Sequence, residues 1–386
     1  MKIFANIILL SRFFRQLMKN IDYYLPAEIK ILLILIIIFT VLAITFFCVI
    51  IFSRFYKNYR EKKMAFLKQK IELLITSFVF DENNVDYENV RKRQKLILHY
   101  KENYLKTKFA RQVLLDEIIK LYKDLIGSPA DNLRQLYLNF GLDTDSMKKL
   151  KDHRWHIKAK GIKEISQMNI KGGYVELYKL INHSNQTLRM EAQLALVRLV
   201  NFDALRFLDD AKYPISEWQQ INLLGVLSSL QNQNLPDFSR WLKSKNESVV
   251  LFALKMIIHF SCLDFIKEVI KMLNHESLKV RKATIDAIGE LDAASALSLL
   301  KKRFYGYEKD FKMEVLRVSG KIAIEKDFPF LELQLLSEDF DISKASATAL
   351  ASKGNSGKKF LSEIHDSYAD EKLKIIIQNA INNNLN

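Results

Sequence analysis

Cysteine is nearly missing from this 386-residue chain: Cys48 and Cys262 are the only two, which rules out the disulfide framework of a small oxidised domain. The signatures of common catalytic sites are missing as well. There is no G-x-S-x-G elbow, no H-E-x-x-H helix and no C-x-x-C pair. Seven histidines are scattered along the chain; His153 and His156 have i,i+3 spacing, but only Asp152 stands near them, too few groups for a metal. The segment Gly354-Asn355-Ser356-Gly357-Lys358-Lys359 looks like a phosphate loop only superficially. It lacks the preceding strand, the glycine spacing and the Ser/Thr after the lysine, and it reads as a turn between helices. The paired acids Asp209-Asp210 and Glu338-Asp339 read as solvated groups or helix-end charges. The expectation is therefore no catalytic, cofactor-binding or metal-binding residue, and no enzyme.

A net charge of +15 invites a nucleic-acid reading, but its distribution argues against one. Residues 1–150 carry 25 Lys and Arg against 15 Asp and Glu, whereas residues 151–386 carry 34 against 29. Two thirds of the excess thus lies in the N-terminal part. The strongest basic cluster farther on is Lys267, Lys271, Lys301, Lys302 and Arg303, set among Asp264 and Glu268. It is kept as a candidate partner-binding groove rather than a nucleic-acid site.

What the sequence does have is a run of 23 uncharged residues between Lys30 and Arg54, ILLILIIIFTVLAITFFCVIIFS. At about 1.5 Å per residue this spans the ~30 Å hydrocarbon core of a bilayer, so residues 29–53 are expected to form a transmembrane helix. The run is longer than a signal-peptide core and no small-residue cleavage site comes after it. Behind it lies a basic collar of Arg54, Lys57, Arg60, Lys62 and Lys63, then Lys68 and Lys70, with Glu61 the lone acid between 54 and 70. Before it stand Lys2, Arg12, Arg15, Lys19 and Lys30. This bias places the C-terminal part in the cytoplasm, with the collar near anionic lipid. Residues 1–28 form a tail with apolar and cationic residues interleaved, a candidate interfacial amphipathic helix.

Residues 54–150 read as a helical linker and N-terminal cap. Phe66, Leu67, Ile71, Leu74 and Ile75 form a stripe that continues the span, Asp81–Asp86 is a polar break, and Val113, Leu114, Ile118, Leu121 and Leu125 recur at helical spacing. Gly127-Ser128-Pro129 marks a stop before a short helix ending near Gly141. A dimerising stalk is the other reading, but no heptad register persists.

From Trp155 onward one phrase recurs. Its clearest copy is LKVRKATIDAIGEL, Leu278–Leu291, with Ala283, Ala287, Ile288 and Leu291 on one helical face. Anchors at Ile157, Ala192, Asn222, Ala253, Ala283, Val315 and Ala345 are spaced by 30 to 35 residues. A period in that range is the mark of a stacked helical solenoid, in which each two-helix unit buries its faces against its neighbours. Asn182-His183-Ser184 and Asn274-His275-Glu276 stand at equivalent junctions, where Asn and Ser can cap the next helix. Residues 151–370 are thus expected to form the array and residues 371–386 a capping helix.

Val280-Arg281 followed by Ala283 and Ala287-Ile288 resembles the HEAT-repeat family, in its short bacterial PBS-lyase HEAT-like form. The resemblance implies a right-handed α-solenoid of about seven repeats and a protein-binding scaffold. The whole arrangement looks like membrane-anchored HEAT proteins of bacteria. The expectation is an all-α, single-pass protein of the bacterial inner membrane. Its cytoplasmic array would dock a protein partner, with envelope or polysaccharide machinery as the setting. The alternatives are a bilin-lyase-like or other HEAT-fold enzyme and, behind it, a nucleic-acid-binding array.

Overall fold

The computed structural model describes residues 26–79, 87–230 and 234–383. Most of the tail 1–28 and the expected polar break Asp81–Asp86 lie outside the described residues. The chain divides into two compact units, residues 1–142 and 143–386. Among the described residues every regular element is an α-helix or a 3₁₀ turn.

The first unit is built on α1, Ala27–Val79, a single unbroken helix of 53 residues. Its two halves behave differently. The apolar stretch from Ile31 is exposed almost throughout and is long and apolar enough to cross a membrane. The next stretch is amphipathic and buries Leu67, Ile71, Leu74, Ile75 and Phe78, while Phe66 stays half exposed. These residues pack on α3, Lys108–Tyr122, and α4, Ser128–Asn139. Helix α2, Tyr87–Asn103, completes the unit, and the Tyr100 hydroxyl donates 3.1 Å to the Lys70 carbonyl. Gly127, at φ 71°, turns the chain into α4, with Pro129 in the first turn where a missing amide costs nothing. The expected break thus separates α3 from α4, with Ser128 and Pro129 already inside α4.

The second unit is an α-solenoid of seven HEAT-like repeats. Their long helices are Trp155–Gln167, Gln186–Val200, Glu217–Ser228, Glu247–His259, Leu278–Glu290, Lys309–Ile322 and Phe340–Ala351. In the first six repeats the second element is shorter, often only 3₁₀ turns, as at Asn201–Leu208 and Phe238–Lys243, whereas in the seventh it is the helix Gly354–Ser367. Seen in register the array is more regular than its sequence. The N-caps are Arg154, Asn185, Ser216, Asn246, Ser277, Glu308 and Asp339, spaced by 30 or 31 residues throughout. Seven positions past each cap stand Gly161, Ala192, Leu223, Ala253, Thr284, Val315 and Ser346, all buried. Ile157, Asn222, Ala283 and Ala345, taken as anchors from sequence, therefore lie one to four residues ahead of the true equivalents.

One continuous core runs from Leu150 to Ala380. Helix Glu371–Asn383 closes it with Leu373, Ile376 and Ile377 buried and a polar outer face, as a terminal repeat requires. Four of the seven long helices end in left-handed residues, Asn169, Asn201, Ser261 and Asp292. At three of these ends the next amide reaches back to a helix carbonyl, such as Ala293 N to Ile288 O at 3.0 Å, which satisfies the last turn.

Candidate docking surfaces of the array

The junctions between repeats fix which faces remain free. At each well-formed junction a side chain accepts a hydrogen bond from the amide two residues on. His183 Nδ1 accepts from Asn185 N and His275 Nδ1 from Ser277 N, both at 3.0 Å. Ser244, Ser337, Asp152 and Asp370 do the same. The caps are Asn185 and Ser277, the residues immediately after the junction triplets. An arginine then reaches back. Arg189 donates 2.7 Å to the His183 carbonyl and Arg281 donates 2.9 Å to that of His275. The recurring histidines are thus turn formers. His153 is exposed beside Asp152 at 3.7 Å and His156 packs edge-on to Trp155, so the two do not form a ligand pair. Among the described residues no three metal-ligating side chains come together.

Of the paired acids, Glu338 is exposed and Asp339 is a helix-end charge, as expected, while Asp209 and Asp210 are exposed but hold partners. Asp209 accepts from Trp241 Nε1 at 2.9 Å and pairs with Arg240 one repeat on. Asp210 accepts the Tyr178 hydroxyl at 2.6 Å; burial and then this bond to a carboxylate push the phenol up to about 12. Asp339 caps its helix and binds Lys309 at 2.8 Å, which holds its carboxyl below the usual range. The segment resembling a phosphate loop is the first turn of helix Gly354–Ser367, entered through Gly354 at φ 70°.

The five residues of the candidate basic groove lie on two neighbouring second elements, Ile266–Lys271 and Leu297–Arg303. They do not form one open surface. Lys301 turns inward to Asp327 of the next repeat at 2.5 Å, and Arg303 binds the Asn274 side chain of the previous one. Burial works to raise the Asp327 carboxyl, but Lys301 and the Ile324 amide outweigh it and hold the group low. Lys271 sits 3.8 Å from Glu268. Lys267 and Lys302 have no partner among the described residues.

A different surface was missed from sequence. Five positions past the caps of repeats two to four stand Met190, Ile221 and Leu251, with Leu194 and Leu224 beside them and Trp218 at the start of the third helix. Ile221 is 59% and Trp218 66% exposed, and the others are partly so. The same face of repeats five and six is a charge ladder instead: Arg317 bridges Asp286 and Glu314, and Lys321 meets Glu290 at 2.6 Å. Sequence reading missed it because the anchors chosen were out of register, and the exposed columns line up only once the caps of the structure are known. A second apolar depression of about 960 Å³ lies between the last repeat and the terminal helix, lined by Leu336, Phe340, Tyr368 and Ile375.

No protein-family model matches the sequence, and no curated protein does. Solved structures give partial likenesses. An engineered protein is 14% identical over 82% of this chain and 99% of its own, with a TM-score of 0.34. YibA of E. coli is 15% identical over 69% and 97%, with a TM-score of 0.35. The complex of CpcE and CpcF of phycocyanin lyase from Nostoc sp. PCC7120 is 14% identical over 63% and 94%, with a TM-score of 0.27. The repeat architecture rests on the register of caps and buried positions rather than on these values.

Proposed function

We propose that this chain is a single-pass scaffold of the bacterial inner membrane, without enzymatic activity, whose HEAT-like array docks a protein partner on the cytoplasmic side. The observation that carries the reading is the division of labour along α1. Residues 31–53 are apolar and largely exposed among the described residues, and the same helix then packs into a folded unit. Such a helix holds its folded unit at the bilayer and raises the local concentration of that unit there. The lysines and arginines of the collar favour the cytoplasmic side and anionic headgroups.

Docking is assigned to the apolar stripe of repeats two to four, because a half-exposed Trp and Ile flanked by further apolar side chains suit a buried hot spot. Envelope or polysaccharide machinery is the setting in which a membrane partner would be sought. The test is to capture partners of the full-length protein in detergent and compare them with Trp218→Glu/Ile221→Glu. These side chains are exposed, so the variant should keep its thermal unfolding while losing the partner. Retention of every captured protein by a folded variant would remove the stripe from the reading.

A further inference from the structure

In the first unit the direction of each helix along α1 can be read from side-chain contacts. Helix α3 runs parallel to α1: the Arg60 guanidinium lies 5.1 Å from the Phe109 ring, and Lys68 is 2.6 Å from Glu117. Helix α2 runs antiparallel. Arg93 lies 5.8 Å from the Phe78 ring, Tyr100 bonds the Lys70 carbonyl, and Tyr104 is 6.3 Å from Phe66. The chain therefore reverses between α2 and α3 at the level of α1 residues 60–66, the membrane-proximal end of the unit. Along a helix rising about 1.5 Å per residue, that level begins only ~10 Å beyond Ser53.

We propose that this hairpin tip, Tyr104–Phe109, is a second membrane contact, seating Lys106 and Lys108 on anionic lipid headgroups beside the collar. The inference rests on the membrane reading of residues 31–53. Headgroup layers extend roughly 5–8 Å past the hydrocarbon, and screening at physiological salt takes about 8 Å to set in, so charges at this level act on the surface. Lys106 and Lys108 are exposed and have no ion-pair partner among the described residues. The tip holding them is rigid: Leu105 and Ala110 are buried, and Thr107 Oγ1 accepts from Ala110 N at 3.2 Å. The collar surrounds one helix and leaves it free to rotate about its axis. A basic tip displaced to one side of that helix selects one rotation, and so sets which way the unit faces along the membrane.

The test uses the full-length protein in nanodiscs of phosphatidylcholine alone or mixed with phosphatidylserine, with lysine acetylation rates read by mass spectrometry. Lys106 and Lys108 should react at least about threefold more slowly in the anionic discs, and added salt should remove the difference. Lys95 and Lys123, exposed at the far end of the unit, should react equally in both. Equal rates at Lys106 and Lys108 in the two compositions, or equal slowing at Lys95 and Lys123, would overturn the inference while leaving the anchor intact. A chain that fails to co-elute with discs of either composition would overturn the anchor itself.

Discussion

Gly357 offers the sharpest test of the packing, because it lies in the segment that looks like a phosphate loop. It is buried in the first turn of helix Gly354–Ser367, against the end of helix Phe340–Ala351. A Cβ built there would stand 1.9 Å from the Leu350 carbonyl oxygen and 2.9 Å from its carbon. The obstacle is backbone and cannot swing aside. Gly357→Ala must therefore push the helix outward and open the contacts of Leu350, Leu361 and Ile364, all buried. Overpacking costs about 1–3 kcal/mol, and a backbone obstacle argues for the upper end, ~3 kcal/mol. For a unit of this size that lowers Tm by roughly 6–12 °C. Gly320→Ala meets a softer obstacle, Ser352 Oγ at 2.7 Å with Ala349 Cα at 3.1 Å, and should cost about 1–2 kcal/mol. Gly225, mid-helix and facing open space, supplies the opposite sign: alanine there should gain about 0.5–1 kcal/mol. Thermal unfolding followed by circular dichroism ranks the three. Hydrogen exchange should place the Gly357→Ala loss in residues 340–383, since a solenoid transmits strain mainly to neighbouring repeats. A Gly357→Ala protein with wild-type Tm and unchanged exchange would refute the packing argument.

Lys301→Met should cost about 1–3 kcal/mol at neutral pH, less than a fully buried pair because the lysine keeps 27% of its side chain exposed. Asp327 titrates below its unfolded value in the wild type, so its contribution is present above the ordinary carboxylate range and lost as pH falls through the lowered value. The gap between the two urea midpoints should therefore close in acid; a gap that persists or widens there would show that the pair is not its source. Arg281→Met strips two hydrogen bonds from junction carbonyls and should cost about 1–2 kcal/mol by urea unfolding, with Arg189→Met similar. If both are neutral, the junction does not depend on its arginine clamp.

The period was legible in the sequence because it is carried by buried apolar residues, which must recur wherever a helix meets its neighbour. The register was not. Small residues were taken as the fixed point, but position seven past the cap holds Gly161, Leu223, Thr284 or Ser346 as readily as alanine. What recurs is geometric: the cap position itself and, at most junctions, the turn and cap bonds that start the helix, although Arg154 and Glu308 make no side-chain cap bond. Those bonds are made by His, Ser, Asn or Asp in turn, so no single letter repeats. The length of α1 was legible, since the stripe of Phe66, Leu67, Ile71, Leu74 and Ile75 was expected to continue the apolar run. The apolar run ends at Ser53, nothing between 54 and 79 breaks a helix, and the amphipathic stripe takes over from the uniformly apolar one.

Charge was the least legible feature, since a sequence shows sign and spacing but not occupancy. The five basic residues of the second elements were singled out because they cluster, yet Lys301 and Arg303 are turned to neighbouring repeats and Lys271 stands by Glu268 of its own helix. A partner approaching there would have to break those contacts before gaining its own. Desolvating a half-buried pair such as Lys301–Asp327 costs more than burying a Trp and an Ile that already face outward with nothing to release. That difference in starting state, rather than any difference in net charge, makes the face of Trp218 and Ile221 the cheaper place for this array to bind.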